Sequence, residues 1–416
     1  DAAAGRGNVI FLHPDGTSAA NFAIGRALFV GPDNDLNWDK LPGMAVYRGH
    51  MADSLTASSN GGATTHAFGV KVRSGAYGMS AGGENAQPLV NDDGESFSIA
   101  KQAIRADIPV GLVQSGTITE PGTGCFVAAV RSRGHHDRIA DQLIHAGVKV
   151  ILGGGERYFL PRGVEGVHGP GVRDDGRNLV EEAEALGYTV VYNAEQLDAL
   201  PDDAGMVLGL FASDHTFNDR TEEQLREAGL PRYKPTAPTV AQMTDKALAI
   251  LKHHGEPFFL VAEEEGTDNF GNKNNAAGLF EAMRRADEAI GVCQRFIARN
   301  PRTLLLTAAD SDGGGARMIG IDVNRPEDIP DKLPAKARNG APLDGVDGAE
   351  SAPFFARPDR FGQRLPFAVA WAAYTDVSGG ILVRAAGLNH HRVRGNMDNT
   401  QLTDLMRLTL FGTQTP

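Results

Sequence analysis

Cysteine is scarce in this sequence, and long hydrophobic runs are absent from it. The 416 residues include two cysteines, Cys125 and Cys293, which are too few for a disulfide framework. We expect two buried free thiols in preference to a single disulfide bridge between them. No run of 18 apolar residues occurs, which predicts no membrane span. The net charge of −12 disfavours nucleic acid as a partner, because phosphate backbones are bound by clustered Lys and Arg.

The length and the glycine content indicate a large globular protein with many turns. A chain of 416 residues is longer than the roughly 250–300 at which a single hydrophobic core usually stops growing. We therefore expect one large domain with an insertion, or two domains. The 51 glycines predict many tight turns and close backbone approaches, which suits an enzyme with short loops better than an all-helical protein.

Short apolar runs alternate with segments of helical periodicity. The runs predict buried strands at 8–12, 108–113, 148–155, 258–263, 303–310 and 367–374, and the segments "HHDRIADQLIHAG" and "FEAMRRADEAIGVCQRFIARN" predict helices between them. This alternation predicts an α/β fold whose central, mainly parallel sheet carries helices on both faces. Ligand sites in such folds gather at the carboxyl ends of the strands.

One segment departs from this pattern. Residues 325–365 are rich in Pro, Ala, Gly and Asp and show little periodicity. We interpret them as an irregular insertion that covers the active site, with a plain surface loop as the alternative.

Acidic residues follow three of the predicted strands. They are Asp15 in "HPDGTS", then Glu263, Glu264, Glu265 and Asp268 after "FFLVA", and finally Asp310 and Asp312 in "TAADSDGGG". A turn or a solvated surface explains each cluster when it is taken alone. Carboxylates at adjacent strand ends repel one another unless a cation neutralises them, so three such clusters predict one metal site.

Two further stretches carry candidate chemistry. "LTASSNGGATTHAFGVKV" places Ser58, Ser59 and Asn60 at or just before a helix N-terminus, which suits either an ordinary N-cap or a nucleophile favoured by the helix dipole. In "AAVRSRGHHDRI", Arg131 and Arg133 are either surface charges or, for one of them, a bidentate clamp on an oxyanion such as phosphate.

The order and spacing of these pieces resemble the alkaline phosphatase family over nearly the whole chain. The most specific landmarks are "GVKVRSGAYG", "AVRSRGHHDRIADQL", "VKVILGGGERYF", "GLFASDH" and "TAADSDGGG". The resemblance implies a three-layer sandwich formed as a single domain over residues 1–416. It also implies a metal-dependent phosphatase that hydrolyses phosphate monoesters through a phosphoserine intermediate.

Residue by residue, the resemblance implies a nucleophile, a phosphate clamp and a set of metal ligands. Ser59 falls at the nucleophile, and Arg133, with Asn60, falls at the substrate-binding positions. The implied metal ligands are Asp15, Ser59, Glu263, Asp268, Asn272, Asp310 and Ser311. Further metal-binding or neighbouring positions are His13, Glu120, Thr123, Glu264, Glu265 and Asp312. Thr123 is included because Gly122 stands where the family usually has a metal-binding threonine.

The departures from the family pattern concern its zinc-binding histidines. Asn272 stands at one of these positions and Val377 at another. Two alignments are possible at the third position. In one, Asp310 replaces the histidine and Ala309 replaces the aspartate that precedes it. In the other, Asp310 is that aspartate and Ser311 replaces the histidine. Carboxylates, amides and hydroxyls suit Mg²⁺, Ca²⁺ or Mn²⁺, so we expect these ions rather than a zinc pair, with Zn²⁺ left open.

Two other functions fit the same residues. One is a phosphodiesterase or sulfatase on the same fold, and the other is a non-catalytic, metal-depleted protein that binds a ligand or partner. The resemblance also implies a periplasmic or secreted homodimer. "DAAAGRGNVIFL" has no basic segment followed by an apolar one, so we expect an export signal that has already been removed or none at all.

Overall fold

The structure is a computed structural model that describes residues 5–322 and 326–413. Its strands are β1 (Asn8–Pro14), β2 (Gly43–Arg48), β3 (Val110–Thr117), β4 (Val150–Gly154), β5 (Tyr188–Val191), β6 (Met206–Leu210), β7 (Phe259–Glu264), β8 (Thr303–Thr307), β9 (Asp312–Gly313), β10 (Arg317–Gly320), β11 (Leu343–Asp344), β12 (Phe354–Phe355), β13 (Pro366–Ala370), β14 (Asp376–Val377), β15 (Leu382–Gly387) and β16 (Arg394–Asp398). Its α-helices are α1 (Ala19–Phe29), α2 (Ser59–Phe68), α3 (Ile99–Arg105), α4 (Pro121–Gly124), α5 (His136–His145), α6 (Leu179–Ala185), α7 (Ala194–Asp198), α8 (Glu222–Ala228), α9 (Val240–His254), α10 (Gly266–Asn272), α11 (Ala276–Arg299) and α12 (Asn399–Phe411).

A large, mainly parallel sheet forms the middle layer. Within the described residues it has ten strands in the order β16-β2-β15-β8-β1-β7-β3-β4-β6-β5. Only β15 runs antiparallel to its neighbours there, pairing with β2 and β8. The prediction of an α/β fold with a mainly parallel central sheet is confirmed.

Alternate residues of the central strands enter two separate cores. In β1, Val9 and Phe11 pack with helices α2, α5 and α12 on one face, whereas Ile10 and Leu12 pack with α9 and α11 on the other. All four side chains have no solvent exposure. This burial on both faces explains why the strand sequences are apolar runs rather than alternating patterns, and it confirms the predicted helical layers.

The predicted strand at 367–374 exists over Pro366–Ala370, but it lies outside the central sheet. β13 pairs antiparallel with β10, β11 and β12 in a small sheet. Strands β11 and β12 belong to the predicted insertion, whose residue 325 lies outside the described residues. The insertion contacts α1 through the Arg357 N–H, which donates to the Ala27 carbonyl at 2.8 Å. That it covers the active site, and that residues 1–416 form one domain, stay predictions.

Two expectations from composition concern the helices and the cysteines. Across residues 5–322 and 326–413, no helix combines the length and apolar character required to cross a membrane. Cys125 and Cys293 are both buried free thiols. Each packs in a different core, Cys125 beside α2 and Cys293 within α11, so the sheet separates them.

Candidate active site

Three adjacent strands bring the predicted acidic clusters to one edge of the central sheet. β1 lies between β7 and β8, and the three strands run parallel. His13 stands opposite Glu263 in this register, and the Asp15 N–H donates to the Glu264 carbonyl at 3.1 Å. β8 ends at Thr307, so Asp310 follows at the same edge. The carboxyl ends of parallel strands meet here as the sequence predicts.

Two groups of side chains in this cluster have the geometry of a cation site. His13, Asp15 and Glu263 form one group, and Asp15, Glu265 and Asp268 form the other; the ligand atoms within each group lie within 4.8 Å of one another. All of these side chains are buried. Asp15 belongs to both groups, so it would contribute a carboxylate oxygen to a cation held by either one.

The buried carboxylates have oxygens without a protein partner. Among the described residues, no hydrogen-bond donor reaches Asp15 Oδ2, Glu263 Oε1, Glu265 Oε2 or either oxygen of Asp310. Burial raises the pKa of Asp15 to about 6. Burial and the neighbouring negative charges also raise the pKa of the other members, which are Glu263, Glu265, Asp268 and Asp310. Buried carboxylate oxygens of this kind require protons or cations, so the donor set fits bound divalent ions.

The first turn of α2 lies against this cluster. Gly62 has no side chain, and a Cβ there would lie 2.4 Å from Asp310 Oδ2. Ser59 precedes Gly62 by three residues and therefore shares its face of the helix. The N-cap is Ser58, whose Oγ accepts the Gly61 N–H at 3.3 Å and donates to the Ser74 carbonyl. Since Ser58 is engaged in the cap, Ser59 is the serine placed toward the carboxylates.

The Ser58 side chain is held by two hydrogen bonds, whereas the side chains of Ser59 and Asn60 are not held in this way. Within the described residues, no hydrogen bond holds the Ser59 hydroxyl, and the buried Asn60 Oδ1 has no donor. Ser59 is buried, with 9% of its surface exposed. The predicted roles of Ser59 in attack and of Asn60 in substrate binding stay predictions.

Arg133 pairs with Glu120 beside the same site. Arg133 Nη2 donates to Glu120 Oε2, and the Arg133 side chain is 44% exposed whereas that of Glu120 is 7% exposed. Glu120 therefore fixes the guanidinium while leaving part of it open to solvent. An oxyanion that binds Arg133 would share it with Glu120 or displace Glu120 from it.

Gly122 accommodates the Glu263 carboxylate. A Cβ at Gly122 would lie 1.9 Å from Glu263 Oε1, so a threonine here, as the family usually has, would clash with this side chain. Gln114 Nε2 donates to the second oxygen, Glu263 Oε2. The adjacent Thr123 hydroxyl is buried, and no partner for it occurs among the described residues. The substitution of Thr123 for the missing threonine stays a prediction.

Two of the predicted acidic residues contact protein groups outside the two metal-type groups. Glu264 points to the opposite face of β7, where its Oε1 accepts from Tyr233 Oη and Ser115 Oγ, both at 2.7 Å. Asp312 forms an ion pair with Arg317 at 2.8 Å. Successive side chains of a strand alternate between faces, which explains the separation of Glu264 from Glu263. The roles of Glu264 and Asp312 in or beside the metal site stay predictions, and Glu264 Oε2 and both Asp312 oxygens are buried without a hydrogen-bond donor among the described residues.

Asn272, whose role as a metal ligand stays a prediction, is held by hydrogen bonds in the structure. Its Nδ2 donates to Asp268 Oδ1 at 3.1 Å and to Asp268 Oδ2 at 3.0 Å, while its Oδ1 accepts the Gly314 N–H at 2.8 Å. An amide binds a cation through its oxygen, and here the nitrogen faces the carboxylate. Ligation by Asn272 would require the amide to turn over and give up the Gly314 hydrogen bond.

Asp376 is a further carboxylate of the site that the pattern of strand ends does not reveal. Its Oδ1 accepts from Asn272 Nδ2 at 2.9 Å, which adds a further carboxylate beside Asp268. Asp376 reaches this point because β14 pairs antiparallel with β9, with Asp376 opposite Gly313. The signal was the acidic residue of "YTDVSGG" immediately before Val377, the position at which a histidine was sought.

The remaining predicted residues divide between the cluster and its surroundings. Asp310 is 3% exposed, and Ser311, beside it, lines a cleft of about 80 Å³ together with Val377. His13 Nε2 lies 3.0 Å from Asp15 Oδ1 and 3.7 Å from Glu263 Oε1. Burial lowers the pKa of His13, which favours the neutral imidazole that metals bind. Whether Asp310 stands for the family aspartate or histidine stays open.

A third group of suitable side chains lies on the surface. Asp141, His145 and Glu182 bring their ligand atoms within 4.8 Å of one another. Arg177 Nη2 already pairs with Asp141 Oδ1 at 2.8 Å and also with Glu182. A guanidinium therefore balances these carboxylates, and the group provides a natural control for the buried cluster.

Comparison with known proteins identifies the family. A family model described as alkaline phosphatase matches residues 6–411. The membrane-bound alkaline phosphatase of Bombyx mori is 28% identical over 338 residues, covering 72% of this chain and 59% of that protein. The alkaline phosphatase of Gadus morhua is 26% identical over 308 residues, covering 68% of this chain and 62% of that protein. The chain thus spans less than two thirds of the length of these relatives.

Solved structures show the same fold. The crystal structure of Thermus thermophilus alkaline phosphatase superimposes with a TM-score of 0.75 at 24% identity, covering 98% of this chain and 92% of that one. The fold, the carboxylate cluster at its strand ends and the match of the family model agree with one another. The chain belongs to the alkaline phosphatase family.

Proposed function

We propose that this protein is a metal-dependent phosphatase that hydrolyses phosphate monoesters through a phosphoserine at Ser59. The observation that carries the proposal is the cluster of buried, unpartnered carboxylate oxygens, of which Asp310 lies against the first turn of α2. Membership of the alkaline phosphatase family supports the same reaction. The chain spans less than two thirds of the length of these relatives.

The residues that would hold divalent ions are Asp15, Glu263, Glu265, Asp268 and Asp310, with His13 as a further donor. A bound divalent ion would supply Lewis-acid chemistry, polarising the phosphate oxygens and stabilising developing negative charge. Carboxylate oxygens dominate this donor set, and His13 is the only imidazole in its two metal-type groups within the described residues. We therefore propose Mg²⁺, Ca²⁺ or Mn²⁺ in preference to a zinc pair.

Ser59 and Arg133 would carry out the protein's part of the reaction. The Ser59 Oγ attacks phosphorus, the ester oxygen leaves, and water then cleaves the phosphoserine to release phosphate. Arg133 would offer N–H groups of its planar guanidinium to the phosphate oxygens, either sharing the guanidinium with Glu120 or displacing Glu120 from it. The free N–H groups in the first turn of α2 favour negative charge near Ser59.

A cavity lies near Glu265 of the cluster, across Gly116. Gly116 lies between Glu265 and His215. A Cβ added at position 116 would lie 3.0 Å from Glu265 Cγ and 3.1 Å from His215 Nδ1. His215 lines a cavity of about 470 Å³ together with Asp214 and Arg220. We propose that the ester group of the substrate extends toward this cavity.

A non-catalytic binding protein is the competing proposal, and one contact favours it. Glu120 holds Arg133, and it thereby competes with any phosphate for the guanidinium. In that case the protein would bind ligand but release no product.

Substrate preference tests the proposed reaction. We expect 4-nitrophenyl phosphate to be hydrolysed with a kcat/KM about 100-fold above that of bis(4-nitrophenyl) phosphate or 4-nitrophenyl sulfate. The reason is that Arg133 and the cations stabilise a dianionic phosphate monoester more strongly than a monoanionic diester or sulfate. Release of 4-nitrophenol measures all three rates with one leaving group. Preference for the diester or the sulfate would support the second enzyme function, and no turnover of any substrate would support the binding protein.

The resemblance supports two further proposals about the protein's setting. We propose that it acts in the periplasm or after secretion, and that it forms a homodimer. Analytical ultracentrifugation measures the oligomeric state directly, and a single species with the mass of one chain would rule out the dimer.

A further inference from the structure

Asn272 lies between two carboxylates and presents N–H groups to both. Its Nδ2 is 3.0 and 3.1 Å from the two oxygens of Asp268 and 2.9 Å from Asp376 Oδ1. Carboxylates that face one another require a positive or hydrogen-bonding group between them. In this chain the group that meets that requirement is an amide.

The main chain fixes the orientation of this amide. The Gly314 N–H donates to Asn272 Oδ1 at 2.8 Å, so the oxygen is engaged on the side away from the carboxylates. Gly314 has φ +66°, and a Cβ there would lie 2.1 Å from the Gly271 carbonyl oxygen. A glycine is therefore required for the turn to approach α10 closely enough to donate this hydrogen bond.

The neighbouring position offers no metal ligand. Val377 is apolar, and its Cγ2 lies 3.0 Å from where a Gly315 Cβ would be, so it packs against the glycine turn. Asp376, one residue earlier, is directed to Asn272 instead. Neither Asn272 nor Val377 supplies a donor atom for a cation at this corner.

We propose that the Asn272 amide nitrogen takes the place of a cation between Asp268 and Asp376. This inference rests on the cation site of the proposed function and restricts it: cations bind on the Asp15 side of Asp268, and the corner beside Asp376 holds none. Asn272 is a positioning residue that holds the two carboxylates together through hydrogen bonds. The amide hydrogens, which carry partial positive charge, repel a cation from this corner.

Asn272→Asp tests the inference by converting the amide into a third carboxylate. One aspartate oxygen can still accept the Gly314 N–H, while the other faces Asp268 and Asp376 and requires a cation. We expect the variant to bind one more Mn²⁺ per chain than the wild type, measured by isothermal titration calorimetry and by analysis of bound metal. Asn178→Asp adds the same charge at the N-cap of α6, where asparagine and aspartate cap equally well, and it should bind no additional ion.

Asp376→Asn provides the second measurement. If the amide replaces a cation, this variant binds as many Mn²⁺ ions as the wild type. Loss of one ion in Asp376→Asn, or an unchanged number in a folded Asn272→Asp variant, would overturn the inference. Both titrations are carried out without substrate, so a chain that binds cations but hydrolyses no ester would refute the proposed function while leaving this inference in place.

Discussion

Replacement of Ser59 by alanine is expected to lower kcat for 4-nitrophenyl phosphate by at least about 10⁴-fold, because the nucleophile is lost. Ser59 lies in the first turn of α2, on the face that Gly62 packs against Asp310. Alanine has the highest helix propensity, so the variant should fold as the wild type does. Circular dichroism and Mn²⁺ binding verify that the fold and the cation site are retained.

Ser58→Ala and Thr64→Ala are the matched controls for this prediction. Ser58 caps α2, so its loss should lower the free energy of unfolding by about 1 kcal/mol while turnover persists. The Thr64 Oγ1 donates to the Ala76 carbonyl at 3.1 Å and accepts the Gly78 N–H at 2.9 Å, so it is occupied by structural hydrogen bonds. Full activity in Ser59→Ala would show that the nucleophile is a different residue, and these two controls would then identify it.

Replacement of Asp15 by asparagine is expected to remove both cation binding and activity. Asp15 is shared by the two metal-type groups, so one substitution weakens both. We expect affinity for Mn²⁺ to fall by more than about 100-fold, beyond the loss typical of residues that only support a ligand. The amide oxygen can still accept the Gly16 N–H, which Asp15 Oδ1 now accepts at 2.9 Å, so the turn is preserved.

Thermal unfolding separates this effect from a general loss of stability. At a cation concentration one hundred times the Kd, the wild type should gain about 2.7 kcal/mol of stability over the apo protein, and Asp15→Asn should gain almost none. Without cations the variant should be at least as stable as the wild type, because it removes one of several buried carboxylates that repel each other. Asp141→Asn, in the surface group that Arg177 balances, should behave as the wild type does. Unchanged cation-dependent stabilisation in Asp15→Asn would contradict the placement of the site.

Much of the site could be predicted because strand ends follow directly from the sequence. Apolar runs predicted β1, β7 and β8, and parallel strands bring Asp15, Glu263 and Asp310 to one edge of the sheet. The helical pattern after Ala63 similarly placed Ser59 at a helix start. These predictions depend only on local periodicity and on the rule that parallel strands share an orientation.

The parts that were missed depend on contacts between distant segments. Asp376 reaches Asn272 only through the pairing of β14 with β9, two strands of two residues that periodicity cannot detect. The orientation of Asn272 depends on one hydrogen bond from Gly314, which the sequence gives no means to foresee. The separation of Glu264 from Glu263 was within reach, because side chains in a strand alternate between its faces.

Cation dependence of turnover tests the central proposal most directly. Protein purified without chelators is stripped with a chelator, dialysed and assayed with 4-nitrophenyl phosphate as Mg²⁺, Ca²⁺, Mn²⁺ or Zn²⁺ is added singly. A carboxylate-rich site predicts no turnover in the stripped protein and recovery with one or more of Mg²⁺, Ca²⁺ and Mn²⁺. Full turnover in the stripped protein, or recovery only with two tightly bound zinc ions per chain, would contradict it.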